Sequence, residues 1–92
     1  MNTLEECREE ITRIDTAMAA LFCERMRQAE KIAAFKRENG LPILDEKREK
    51  TVLENGKNRV PDTDLQPYYL RFLQTMMDIS KDFQAKTIEK ED

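Results

Sequence analysis

Ninety-two residues make at most one domain, near the lower size at which a chain can bury its own core. Apolar residues reach only 39% and charged residues 38%, and 2 glycines and 3 prolines supply little turn chemistry, which argues against sandwiches, barrels and glycine-rich phosphate folds. A net charge of -3 leaves no general basic face to displace counterions from nucleic acid, and the absence of histidine removes Ser-His-Asp, Cys-His and His-metal chemistry.

The first element opens at Thr3-Leu4-Glu5-Glu6, a capping-box pattern. Apolar residues then recur at Leu4, Cys7, Ile11, Ile14, Met18, Leu21, Phe22, Ala29 and Ile32, the 3–4 alternation of a helical seam. No glycine or proline interrupts it before Asn39-Gly40, which Pro42 follows, so the first helix is predicted over about 4–38. Its length would be ~50 Å, whereas a compact domain of this size has a radius of gyration of ~12 Å. Such a helix protrudes, its seam needs a partner, and a homodimer follows. Cys7 and Cys23 would lie ~24 Å apart on that helix, too far to pair within the chain. They read as packing residues of a reduced, cytoplasmic protein, with no histidine to activate either thiol. The acidic start MNTLEECREE lacks the apolar stretch of a signal peptide, and no run approaches the ~20 apolar residues of a membrane span.

Asp45 is placed to cap a second helix that runs to about Glu54 and closes at Asn55-Gly56. Pro61-Asp62-Thr63-Asp64 opens the third, with Thr63 and Gln66 spaced as a capping box and Pro67 tolerated near the first turn. This helix carries Tyr69, Phe72, Met76, Ile79 and Phe83 on one stripe and Leu73 and Met77 on the next. It is expected to persist to about Ala85, with the tail IEKED fraying. The whole is one all-α domain over 1–92, three helices per chain with one very long.

Polar residues interrupt these seams. Arg25 and Lys36 continue the series 18, 21/22, 25, 29, 32, 36 on the first helix, and their separation of eleven residues leaves them only ~20° apart. Two readings stand side by side. The stems can cover apolar surface while the heads reach water, or the two cations face one anionic ligand, since burying both unpaired would cost several kcal/mol per ion. Arg8 lies about 100° off that face, so it points more readily into a neighbouring chain's site than into its own. On the third helix Ser80 and Gln84 prolong the Leu73–Met77 stripe, which reads either as emergence into solvent or as a polar pair at a site. Asp45, Arg48 and Glu49 share one face of the second helix, as a cap with a salt-bridge face or as part of the same site. Together these groups suit a small hydroxylated polyanion and leave electrostatic and conformational catalysis as the available chemistry. They include no metal-ligand set.

The chain resembles the all-helical chorismate mutases, which are intertwined homodimers. The resemblance runs from CREEITRID through ERMRQAEKIAAFK and LPILDEKREK to YYLRFLQTMMDISKDFQ. It implies a cofactor-free rearrangement of chorismate to prephenate, on the route to phenylalanine and tyrosine. Arg8 resembles the arginine donated across the dimer to substrate carboxylate, and Arg25 the carboxylate-binding arginine of the same chain. Lys36 is similar to the lysine that reaches a carboxylate and the ether oxygen. Asp45, Arg48 and Glu49 match the second-helix motif, whose glutamate and aspartate main chain hold the substrate hydroxyl. Ser80 and Gln84 match the third-helix pair, with the glutamine as donor to the ether oxygen. Docking onto another enzyme of the shikimate pathway, as some small mutases do, is compatible with the resemblance. Two alternatives carry the same seams: an isochorismate-pyruvate lyase and a non-catalytic helical dimerisation module.

Overall fold

Thr3 starts the first helix as its sequence predicts: extended at φ -82° and ψ 167°, it accepts a hydrogen bond at Oγ1 from the Glu6 N–H at 3.1 Å. A computed structural model of the chain describes residues 3–91, with side chains described over 3–88. Helix α1 spans Leu4–Glu38 and carries Glu5 and Glu6 in its first turn and Lys36 and Arg37 in its last, complementing the helix dipole at both ends. Its end is a Schellman motif: Gly40 takes φ 64°, its N–H donates to the Arg37 carbonyl, and the Leu41 N–H donates to the Lys36 carbonyl at 2.8 Å. That left-handed step is why glycine stands there, and it turns the chain back along the helix it has just left.

Helix α2 spans Glu46–Arg59, five residues beyond its expected end. Asn55-Gly56 does not stop it, because Gly56 serves packing and not a left-handed turn. It is buried against the third helix, where an added Cβ would stand 2.5 Å from Leu73 Cδ2 and 3.3 Å from Tyr69 Cε2. Helix α3 spans Gln66–Glu91. Thr63 does not form a capping box with Gln66. Instead Asp62 organises the turn: its Oδ1 accepts from the Asp64 N–H, and its carbonyl accepts from the Leu65 and Gln66 N–H groups. The Gln66 side chain donates backward to the Lys57 and Val60 carbonyls at 3.2 and 2.7 Å, and so closes α2. Pro67, second in α3, lacks an N–H where none is needed. No glycine or proline follows Ala85, and the helix runs six residues further than expected; Asp92, the last of the tail, lies outside the described residues.

The described residues contain no strand, and the chain is all-α. α3 packs against both other helices, which make no packing contact with one another among the described residues. Only the second half of α1 takes part. Met26, Ala29 and Ala33 are buried there, opposite Leu73 and Met77 of α3. The small alanines let α3 approach along its 73–77–80–84 face. That leaves Phe72 and Ile79 of the predicted aromatic stripe exposed, and Tyr69, Met76 and Phe83 half-buried.

Every residue from 3 to 24 is exposed, including Leu4 at 66% and Leu21 at 63%, along with Ile11, Ile14, Met18 and Phe22. Cys7 and Cys23 are likewise exposed free thiols, not packing residues within the single chain. The radius of gyration is 16.5 Å and the longest axis 56 Å, the extension that a ~52 Å helix imposes on a chain whose compact form would have ~12 Å. Among the described residues no helix is long and apolar enough to cross a membrane.

Candidate active site

A cleft of about 420 Å³ opens where the second half of α1, the loop after it, the start of α2 and the second half of α3 converge. From α1 it receives Arg25, Gln28 and Lys36, and both predicted seam cations are half-buried against it. Their ~20° alignment over eleven residues places them on the same wall. Because the Schellman turn folds the chain back, Ile43 returns beside Lys36, whose Nζ donates to the Ile43 carbonyl at 2.7 Å. That bond fixes the ammonium at the cleft and leaves it two further donors.

The α2 residues are set by a cap. Asp45 Oδ1 accepts from the Arg48 N–H at 3.0 Å, and the Asp45 carbonyl accepts from the Glu49 N–H. With Oδ1 and the carbonyl of Asp45 both engaged in the cap, Asp45 Oδ2 and the first N–H groups of α2 are what this N-terminus can still offer a ligand. Asp45 and Arg48 are exposed, whereas Glu49 is half-buried. Among the described residues the guanidinium groups of Arg25 and Arg48 have no ion-pair partner, so two cations with fork geometry suited to carboxylates adjoin one cleft.

From α3 come Ser80 and Gln84, exposed to 7% and 6%. Emergence into solvent is therefore not the reason for polar residues on this stripe. Gln84 Nε2 donates to Ser80 Oγ at 3.3 Å, while Gln84 Oε1 is buried with no protein partner among the described residues. A half-turn of the carboxamide exchanges its ends: the Ser80 hydroxyl then donates to Oε1, and the NH2 group occupies the unpaired position. Leaving that position unmatched costs about 1–3 kcal/mol, which a ligand acceptor in the cleft would offset.

Two polar lining residues were not anticipated from the sequence, Gln28 and Lys81. Helical spacing was the signal for each, Gln28 three residues after Arg25 and Lys81 four after Met77, but spacing alone does not separate them from a solvated face. Lys81 Nζ lies 2.8 Å from Glu49 Oε2 and 3.4 Å from Asp78 Oδ1. The hydrogen bond to Glu49 is the main reason that the Lys81 pKa stands above its ordinary value of 10.5, against a lowering by burial. A raised lysine contributes stability fully present below 10.5 and lost as pH rises through the folded value, so the pair persists across the neutral range.

Arg8 is not brought to this cleft. It is exposed on the unpacked half of α1, about 25 Å along the axis from Arg25. The lining of the cleft carries four cations (Arg25, Lys36, Arg48, Lys81) against two carboxylates (Asp45, Glu49), an excess of two positive charges in a chain whose net charge is -3. Such a cleft can bind a small dianion, hold a hydroxyl at a carboxylate and donate to a further oxygen. Among the described residues no three His, Cys, Asp or Glu side chains gather as a metal site.

The sequence model of the family described as chorismate mutase type II matches residues 7–85, a span that crosses all three helices and includes every residue placed above. No curated protein and no solved structure matches the chain at a significant level.

Proposed function

The chain belongs to the chorismate mutase type II family, a family of isomerases, and from that premise we propose that it rearranges chorismate to prephenate as an intertwined homodimer. One observation carries the reading: side chains from three helices, Arg25 and Lys36, Arg48 and Glu49, Ser80 and Gln84, line one cleft with a net positive lining. Chorismate is a dicarboxylate with a ring hydroxyl and an enol ether, and each of those features has a counterpart among these groups.

In this mechanism the protein transfers no proton and forms no covalent bond to substrate, as suits a chain without histidine. Arg25 and the partner's Arg8 bind carboxylates, and Lys36 reaches a carboxylate and the ether oxygen. Anchoring both carboxylates folds the enolpyruvyl chain over the ring and removes much of the entropic barrier to the pericyclic step. Glu49 and the Asp45 main chain hold the hydroxyl. As the C–O bond breaks and the C–C bond forms, negative charge grows on the ether oxygen. Donation from Lys36 and Gln84 then strengthens, and stabilises the transition state more than the ground state.

The second chain enters through α1. Its bare apolar seam over residues 4–22 is a contiguous surface of the kind that monomers rarely expose. A neighbour's α1 laid along that seam would cover Cys7 and carry its own Arg8 to a cleft that Arg8 does not reach within its own chain.

The experiment is an absorbance assay on purified protein without added metal or cofactor. Chorismate is expected to disappear as prephenate forms. Conversion of isochorismate to salicylate with chorismate untouched would make the chain a lyase. Neither reaction would leave a non-catalytic helical dimer.

A further inference from the structure

Lys81 stands on the cleft face of α3, directly after Ser80, and joins α3 to Glu49 of α2. Its two acidic neighbours differ. Asp78 is 57% exposed and lies one turn back on the same helix, an arrangement that water and salt readily replace. Glu49 is only 20% exposed at its side chain and Lys81 29%, and their 2.8 Å contact spans two helices at the wall of the cleft. The ammonium occupies Glu49 Oε2 and leaves Oε1 to accept from another donor.

A glutamate in this cleft has competing partners. The guanidinium groups of Arg25 and Arg48 line the same space. A Glu49 released from Lys81 would be drawn to them, and would occupy the donors that an incoming carboxylate needs. Removing the Lys81 charge also halves the excess of two positive charges that matches a dianion.

Resting on the chorismate mutase reading, we propose that Lys81 is the positioning residue for hydroxyl recognition: by holding Glu49 Oε2 it presents Oε1 to the ring hydroxyl and keeps Glu49 off the carboxylate-binding arginines. Lys81 acts through Glu49 and touches no reacting atom. A ligand that lacks the hydroxyl would leave Oε1 unpaired, so hydroxyl preference is the property that Lys81 sets.

Two probes isolate it: a dicarboxylate transition-state analogue bearing the hydroxyl and the same compound without it, both titrated calorimetrically. The wild-type protein should prefer the hydroxylated analogue on the order of ten- to a hundred-fold, the range for a hydrogen bond to a charged group. In Lys81→Met that preference should shrink to a few-fold, with KM for chorismate raised about ten-fold and kcat little changed, since an interaction common to ground and transition states is lost. Lys81→Arg should retain the preference. Adding Lys81→Met to Glu49→Gln should cost no further preference, because the two residues act as one unit. Equal weakening of both analogues in Lys81→Met would make Lys81 a plain carboxylate-binding cation and overturn the proposal. Unchanged binding of both would reduce the pair to a structural link and overturn it as well. A wild-type protein that binds neither analogue and leaves chorismate intact would instead overturn the mutase reading, an outcome visible before any variant is made.

Discussion

Replacing Lys36 with alanine is expected to lower chorismate turnover on the order of 10²–10³-fold, the usual loss for one donor to a developing oxyanion. The expectation rests on position: Lys36 Nζ is fixed at the cleft by its bond to the Ile43 carbonyl, and it aligns with Arg25 on one wall. The same bond means that the substitution also removes a structural contact. One such hydrogen bond from a charged group contributes about 1.5–3 kcal/mol, so the variant should remain helical with a lower melting temperature. Circular dichroism measures that part and steady-state kinetics the other. A folded Lys36→Ala protein with turnover within a few-fold of wild type would remove Lys36 from the mechanism.

Gln84→Glu should convert a pH-insensitive donor into a titrating one. At 6% exposure the new carboxyl is desolvated, and its pKa should stand above the ordinary value for glutamic acid. While protonated it can donate to the ether oxygen, the role proposed for the amide. Once ionised it accepts only, and its charge opposes the charge developing on that oxygen. Activity should therefore survive at low pH and fall steeply as pH rises through the raised pKa, while the parent's profile stays flat. Stability follows the same sign. A carboxyl with a raised folded pKa destabilises the protein progressively as pH rises past the unfolded value of ~4.3, so rates are referred to the folded fraction at each pH. A variant as flat as the parent would mean that Gln84 does not contact the reacting oxygen.

The legible parts of this molecule are those governed by local rules. Thr3, Asp45 and Gly40 define helix ends through their own side chains or backbone, and the structure uses each as its position predicts. The angular arithmetic that aligns Arg25 with Lys36 needs only a straight helix. Elsewhere a neighbouring residue, most often one across the fold, decides the outcome. Gly56 belongs to a close approach by Leu73 and not to a helix stop, and nothing within ten residues of it says so. Gln66 is occupied at the end of α2 and Asp62 takes the turn expected of Thr63. On α3 a larger apolar stripe was available, yet the alanines of α1 select the face that carries Ser80 and Gln84. Lys81 passed unnoticed because a lysine among charged residues looks like solvated surface until Glu49 is seen 2.8 Å away on another helix. Arg8 shows the opposite case: its offset on α1 was legible, and the single chain leaves it far from the cleft.

That offset makes the composite site testable by subunit exchange. Arg8→Ala and Lys36→Ala should each inactivate a homodimer, since every site then lacks one cation. Unfolded and refolded together in equal amounts, the two variants form mixed dimers in half of the population. In each mixed dimer one site combines an intact Lys36 with the partner's intact Arg8, and the other site carries both defects. About a quarter of wild-type chorismate mutase activity should return. Activity that stays at the level of the separate variants, with refolding and subunit exchange verified, would mean that Arg8 does not act across a dimer and would contradict the shared site.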